Sequence, residues 1–550
     1  MKSVKDILDE HEKRKSLRAG FESMWQQLLE LYLPRRTSMY AKDSQGRDRA
    51  KRIYDSTPGV ALLRLAAVLN SMLTNEQLNW FQLETDDEEL NEQPEVKRWL
   101  EHDAGILRKS FANSNFYAQA HEMYIDLAGL GTGVVFIEES NRAERDFFFS
   151  ARHLRECYIS HSDQEVIEHV NLARSMTARQ IVDRWKFKRK TGRIPEQVIK
   201  AYERDPETPF DIIQSIFPNE DFDPKAIDPL KFAFQCVWIF VEGKSEIDRG
   251  GYHEFPLIVV PWAKAAGEDY GRGPGWDALA DTKTLYEMRK TSLRVAQKIA
   301  DPPLQVPKKG FVGSIKLTPG GLNYYDQTSK ARIEPIAIGA NFNISLEMIQ
   351  DMRERIQDHF FVNQLQLIDA REMTAEEVRA RVAENARILG PTFGRLNSEY
   401  LEPLIGRSLG ILRRGGKLAA IPAAVIQAAK RTGTQLRVRF VSPLAKAQVA
   451  SEVQGITHTA GTAIAWAKET QDPEVLDNLD LDAGIRKIAE LDGAPPDFLR
   501  DPKKVAAVRQ RRAAMQAALA RLEAAREAAG TAKDAASAGL DLQAMEEGRA

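Results

Sequence analysis

The chain has 550 residues, 43% of them hydrophobic and 28% charged, which supports a substantial core and excludes a chain disordered throughout. Its 77 Lys and Arg nearly balance 79 Asp and Glu, so the basic excess expected of a tight duplex-DNA binder is missing. Two cysteines, Cys157 and Cys236, are too few for a disulfide framework or a cysteine zinc site. The opening MKSVKDILDEHEKRK lacks the apolar run of a signal peptide, and Arg64 interrupts GVALLRLAAVLNSML. The expectation is a reduced, cytosolic chain with no membrane span.

In chain order, the segment up to about residue 130 predicts helices. Phe21, Met24, Trp25, Leu28, Leu29 and Tyr32 recur at helical spacing until Pro34. Thr57-Pro58 opens a second helix, with Thr57 as the capping hydroxyl and Ala61, Leu62, Leu65, Leu69 and Met72 on its apolar face. Another starts near Pro94 and carries Val96, Trp99, Leu100, Leu107 and Phe111. From Gly131 the pattern changes to short β-type runs, TGVVFIEE, DFFF, VIEHVNLA, IIQSIF and FAFQCVWIFV, interrupted by a helix that Thr177 caps. This reads as a mixed α+β domain ending near Pro261.

Pro274-Gly275 then opens a helix of about 26 residues, about 39 Å long, which Asp301-Pro302-Pro303 terminates. Short extended pieces follow around turns such as Thr318-Pro319-Gly320-Gly321. A second helix begins near Asn343 and places Ile349, Met352, Ile356, Phe360 and Asn363 on one face. After a break at Leu367–Arg371, Thr374 and Glu377 form a capping box. The helix it starts runs for roughly 40 residues, near 60 Å, with a kink expected at Gly390-Pro391 and an end at Gly415-Gly416. A strand, QLRVRFVSP, and further helices lead to an alanine-rich tail. Such long one-faced helices pack either in a bundle within one chain or against other subunits, and periodicity alone does not choose.

Catalytic spellings fail on context. Gly243-Lys244-Ser245 has Trp238 where a phosphate loop needs its first glycine, so a turn is expected. Gly406-Arg407-Ser408-Leu409-Gly410 spells a nucleophile elbow inside a helical pattern, with no strand before it. Gly129, Gly131 and Gly133 lack dinucleotide spacing and suit a tight helix-to-strand turn. His121-Glu122 is followed by Ile125 where a zinc motif needs a second histidine. The expectation is no enzymatic activity, no cofactor and no metal.

Five stretches carry a resemblance. Met373–Gly416 (MTAEEVRARVAENARILGPTFGRLNSEYLEPLIGRSLGILRRGG) resembles the signature of the head-to-tail connector, or portal, proteins of short-tailed bacteriophages. Ile53–Thr74, Ser114–Glu139, Phe255–Met288 and Arg439–Gln448 are similar to that family in the same order, so the resemblance spans about residues 15–450.

The resemblance implies a mainly α fold with an α+β wing, assembled as a ring of twelve subunits around a channel. It places a wing at 1–274, stem helices at 275–300 and 344–366, and a clip at 301–343. A channel loop at 367–373 and a long kinked helix at 374–416 follow. The chain then returns to the wing at 417–441, forms a crown at 442–502 and ends in a helical barrel at 503–550. Twelve helices about 10 Å apart enclose a lumen of about 28 Å, wide enough for a duplex of about 20 Å. Asp369, Arg371, Glu372 and Met373 would face double-stranded DNA in that channel. Lys308, Lys309, Pro319, Gly320 and Gly321 would dock the terminase large subunit and later tail adaptor or tail proteins. The clip's short strands can pair between neighbouring subunits, which closes exposed edges, with an internal β-hairpin domain as the alternative. Capsid and scaffolding or internal core proteins are the other implied partners, with the virion's portal vertex as the location. A non-portal helical scaffold or adaptor is the alternative, and it would leave the five ordered segments unexplained.

Overall fold

The computed structural model describes residues 2–36, 38–40, 53–142, 144–186, 193–305, 311–312, 324–325, 334–335, 342–362, 390–433, 435–440, 443–470, 473–491, 498–500, 504–522 and 525. The chain divides into two compact units, Met1–Ser451 and Glu452–Ala550.

The first unit opens with helices α1 (Val4–Tyr32) and α2 (Thr57–Leu73), strand β1 (Phe81–Thr85), and helices α3 (Glu88–Asn91), α4 (Pro94–Ala112) and α5 (Phe116–Leu130). The apolar residues spaced three and four apart point inward: Trp25, Leu28, Leu62, Leu69, Val96, Leu107 and Phe111 are all buried. Thr57 does not cap α2 as expected. Ser56 holds the cap position, and the Thr57 hydroxyl donates to Asp55 instead.

Strands β2 (Thr132–Glu139), β3 (Phe147–Ala151) and β9 (Leu257–Pro261) form a three-stranded antiparallel sheet in the order β3-β2-β9. A second, five-stranded sheet takes β4 (Cys157–His161), β5 (Ile167–Thr177), β6 (Pro209–Pro218), β7 (Phe234–Phe240) and β8 (Ser245–Tyr252) in sequence order. Between β5 and β6 lie α6 (Ala178–Trp185), with Thr177 and Gln180 in a full capping box, and α7 (Glu196–Arg204). Gly243-Lys244-Ser245 is the turn from β7 to β8, with Lys244 at φ 45.

Helices α8 (Pro274–Asp277) and α9 (Leu279–Ala300) follow β9. Two nested antiparallel pairs come next: β10 (Leu304–Gln305) with β13 (Glu334–Pro335), and inside it β11 (Phe311–Val312) with β12 (Tyr324–Tyr325). These pairings lie within one chain, and each two-stranded pair leaves its outer edges open to a further strand. Helix α10 (Phe342–His359) returns alongside α9.

The helical stretch Gly390–Arg414 is described from Gly390, where the kink was expected. It contains a widened π-type turn at Leu396–Leu401. Pro403 lies two positions beyond the end of that turn. It has no N–H for the Glu399 carbonyl and would press its ring on that oxygen, a conflict a wider turn relieves. Ser408 is buried inside this helix, its hydroxyl donating to the Leu404 carbonyl at 2.7 Å. Strand β14 (Leu436–Phe440) then pairs with β1, from Phe81↔Phe440 to Thr85↔Leu436.

The second unit carries the helix Leu481–Leu491 and a helix over 504–522. Arg509 reaches both oxygens of Asp482, at 2.6 and 2.7 Å. Met515, Leu519 and Leu522 are all exposed.

In the first unit, α5 turns into β2 through Gly131 at φ 86, against the segment Tyr270–Gly275. A Cβ on Gly131 would lie 2.6 Å from the Gly271 carbonyl oxygen, and one on Gly275 2.5 Å from that of Gly129. The Thr132 hydroxyl accepts from the Gly271 N–H at 2.8 Å. The Leu130 carbonyl accepts from two indoles, Trp25 at 3.2 Å and Trp276 at 2.9 Å. This crossing roots α8 and α9 on the sheet domain. Gly131→Ala should therefore cost about 2–5 kcal/mol, a left-handed penalty plus backbone overpacking. Gly267, at φ 79 but with open space around it, should cost only about 1–2 kcal/mol as Ala. Chemical denaturation of both variants checks the difference; equal losses would remove the packing part of the argument.

Candidate functional site

The paired helices α9 and α10 run antiparallel, since Asp281 near the start of α9 meets His359 at the end of α10, Nε2 to Oδ2 at 3.1 Å. Their inner faces belong to the core of the same chain. Leu285, Ile349, Ile356 and Phe360 are buried, and Phe360 meets the Tyr32 ring edge-on at 5.7 Å. Helix α1 runs beside them: the Tyr32 hydroxyl lies 2.7 Å from the Thr282 hydroxyl, and Tyr286 donates to the Leu31 carbonyl at 2.8 Å. The apolar face through Ile349, Ile356 and Phe360, whose partner helical spacing left open, is thus covered within one chain. Helix α10 ends at His359 rather than near Gln366, and Phe361 adopts φ 56. Asn363–Gln366 lie outside the described residues.

One buried carboxylate ties this pair to the helix before it. Asp55 Oδ2 takes Arg353 Nη2 at 2.8 Å and lies 3.3 Å from Arg289 Nε, so it joins α9 and α10. Asp55 Oδ1 accepts from the Thr57 N–H at 3.0 Å and its hydroxyl at 2.7 Å, at the start of α2. Burial alone would raise this carboxyl, but the Thr57 donors and the Arg353 guanidinium hold it below the ordinary aspartate value.

The Gly390–Arg414 helix is fastened by a buried arginine. Arg407 donates to the Ile137 carbonyl at 3.0 and 3.2 Å and to the Glu254 carbonyl at 2.7 Å. Arg414 adds an ion pair to the Glu254 side chain. Every contact spans more than a hundred positions, so no local pattern announces it.

The other end of the helix pair is bare. Beyond the buried Ser292, Leu293 is 46% and Ile299 52% exposed, and at the same end of α10 Leu346 and Met348 are 48% and 54% exposed. Nothing in the described chain covers these four apolar side chains.

Asp369, Arg371, Glu372 and Met373, with the whole 367–373 segment, lie outside the described residues, as do Lys308, Lys309, Pro319, Gly320 and Gly321. The described β10–β13 and β11–β12 pairs do lie between α9 and α10 in the chain, where those docking residues were expected. Among the described residues no helix is long and apolar enough to cross a membrane, and no three His, Cys, Asp or Glu gather as a metal group.

The site is thus a helix pair rooted in an α+β domain, with exposed apolar side chains at its far end. The chain belongs to the bacteriophage head to tail connecting protein family, the portal proteins, whose model matches residues 4–499. It is 30% identical to a probable portal protein of Bordetella phage BPP-1 and 29% to the portal protein of Salmonella phage epsilon15. Each match covers 91% of this chain and 89% of the relative. The portal protein of Enterobacteria phage T3 matches 44% of the chain at 21% identity.

Asp55→Asn should destabilise the first unit by about 1–3 kcal/mol at neutral pH, because two partly exposed arginines lose their buried counter-charge. A depressed carboxyl contributes fully above its unfolded value of about 3.9. That contribution is lost as pH falls through the lower folded value. The gap between wild type and variant in urea titrations should close on acidification; a pH-independent gap would assign the loss to shape alone.

Proposed function

We propose that this portal-family chain assembles into a ring, of twelve copies, around a channel that passes double-stranded DNA during packaging and ejection. In this reading α9 and α10 are the stem, the sheet domain is the wing, and the strand pairs between the stem helices belong to the clip. The clip receives the terminase large subunit and afterwards tail proteins, while capsid and scaffolding or internal core proteins meet the ring at the virion's portal vertex. The chain carries out no bond-making step. Its exposed second-unit helices form the crown and barrel of the same ring.

The observation that supports this best is the uneven covering of the stem. Its root is packed and pinned by Asp55, and its far half presents Leu293, Ile299, Leu346 and Met348 to solvent. Burying four such side chains against a neighbour is worth several kcal/mol per interface, roughly 1.5–3 for each fully covered side chain. A second copy supplies that cover when the interface closes on itself around an axis.

Leu293→Asp with Ile299→Asp should therefore leave the chain folded, since neither side chain is in the core. Native mass measurement should show the ring lost or reduced to small species. Rings of unchanged mass and heat resistance would refute the stem assignment.

A second prediction concerns Arg371 on the expected channel loop. Arg371→Ala should assemble and begin packaging, yet retain less DNA. The deficit should shrink at higher salt, where the wild-type contact with phosphate is itself screened. Wild-type retention across a salt series would make 367–373 a linker.

A further inference from the structure

Between the two larger sheets three arginines converge on two aromatic rings. The guanidinium carbon of Arg174, on β5, lies 5.4 Å from the ring centroids of both Phe136 on β2 and Trp238 on β7. Arg152 sits 5.7 Å from the Phe136 ring and Arg184 4.5 Å from that of Trp238. The two nearby carboxylates are engaged by the other two arginines. Glu138 Oε1 accepts from Arg184 at 3.3 Å and from the Tyr252 hydroxyl at 3.1 Å, and Glu156 lies 3.6 Å from Arg152. Three guanidiniums thus face two carboxylates, and among the described residues no carboxylate pairs with Arg174.

The donors left over are specific. Nε and Nη2 of Arg174 are both buried without a hydrogen-bond partner, and so is Nε of Arg152. Nε–H and Nη2–H lie along one edge of the guanidinium plane, the fork that matches two oxygens of one oxyanion. Leaving such donors unmet in a half-buried place is costly. Burial, followed by the repulsion of Arg152, pulls the Arg174 guanidinium down to about 10, as expected for a cation short of counter-charge.

We propose that this arginine cluster binds one small inorganic oxyanion, of the phosphate or sulfate class, on the Nε–Nη2 edge of Arg174 with Arg152 beside it. The anion supplies the missing negative charge and links the three-stranded sheet to the five-stranded one. The cation–π contacts hold the arginine stems in place whether or not the anion is present. The donors are buried between the sheets, too deep for the backbone of a rigid duplex, so the site is distinct from any DNA path.

Equilibrium dialysis of the full chain against labelled inorganic phosphate at fixed ionic strength tests this. The expected result is saturable binding of one phosphate per chain, displaced by sulfate and not by the same ionic strength of chloride. Arg174→Lys keeps the charge and loses the fork, and should weaken binding at least tenfold. Arg174→Met keeps the apolar stem and should abolish it. The melting midpoint of the wild type should rise with the logarithm of phosphate concentration by linkage, beyond the general exclusion effect that Arg174→Met still shows. If the Met variant fails to fold, wild-type stoichiometry and competition decide alone. No saturable binding would refute the site, and undiminished binding by Arg174→Lys would place the phosphate elsewhere on the chain. Displacement of the phosphate by a short DNA duplex would overturn the small-anion assignment in favour of a nucleic-acid contact.

Discussion

The first unit depends on two backbones passing each other at contact distance. Gly129–Gly131 leaves helix α5 while Gly271–Gly275 enters α8, and there is no room for a Cβ between them. Two tryptophan indoles converge on the one Leu130 carbonyl beside this crossing. The direction in which α9 leaves the sheet domain is therefore set by main-chain geometry, which varies far less than side-chain packing does. Whatever the far end of the stem meets, it meets at an angle fixed at this root.

Two of the buried charges among the described residues join distant segments. Asp55 draws an arginine from each stem helix to the start of α2, and Arg407 is satisfied largely by backbone carbonyls. A buried charge with full hydrogen bonding adds modest net stability, yet losing a partner is expensive. Such groups resist sliding of one element past another better than an apolar contact would. This concentrates stiffness where α9 and α10 join the rest of the first unit.

Much of the first unit's local structure was legible. Strand β2 coincides with the run TGVVFIEE, Thr177 caps its helix, and Gly415-Gly416 closes the long one, because alternation, caps and left-handed glycines act within a few residues. Thr57 misled because a serine, threonine and proline stand together there, and only the position of Asp55 decides which hydroxyl does what. An aspartate just before a helix start was a visible hint of a local role; its arginine partners, 298 positions away in one case, were not. The apolar stripe Ile349–Ile356–Phe360 was read as a stripe correctly, but its partner is the chain's own α1 and α2, which helical spacing cannot specify.

By itself the sequence determined the type and rough extent of many of the first unit's elements, and a family resemblance carried by five ordered segments. Each of these rests on interactions among near neighbours or on the order of residues. Only the tertiary structure decided that β14 closes against β1, that the small strands of 301–343 pair within the chain, that Asp55 couples both stem helices, and that Arg174 keeps a buried edge unpaired. Those depend on which surfaces meet after long loops close, and packing of the whole unit, with no local code, makes that choice.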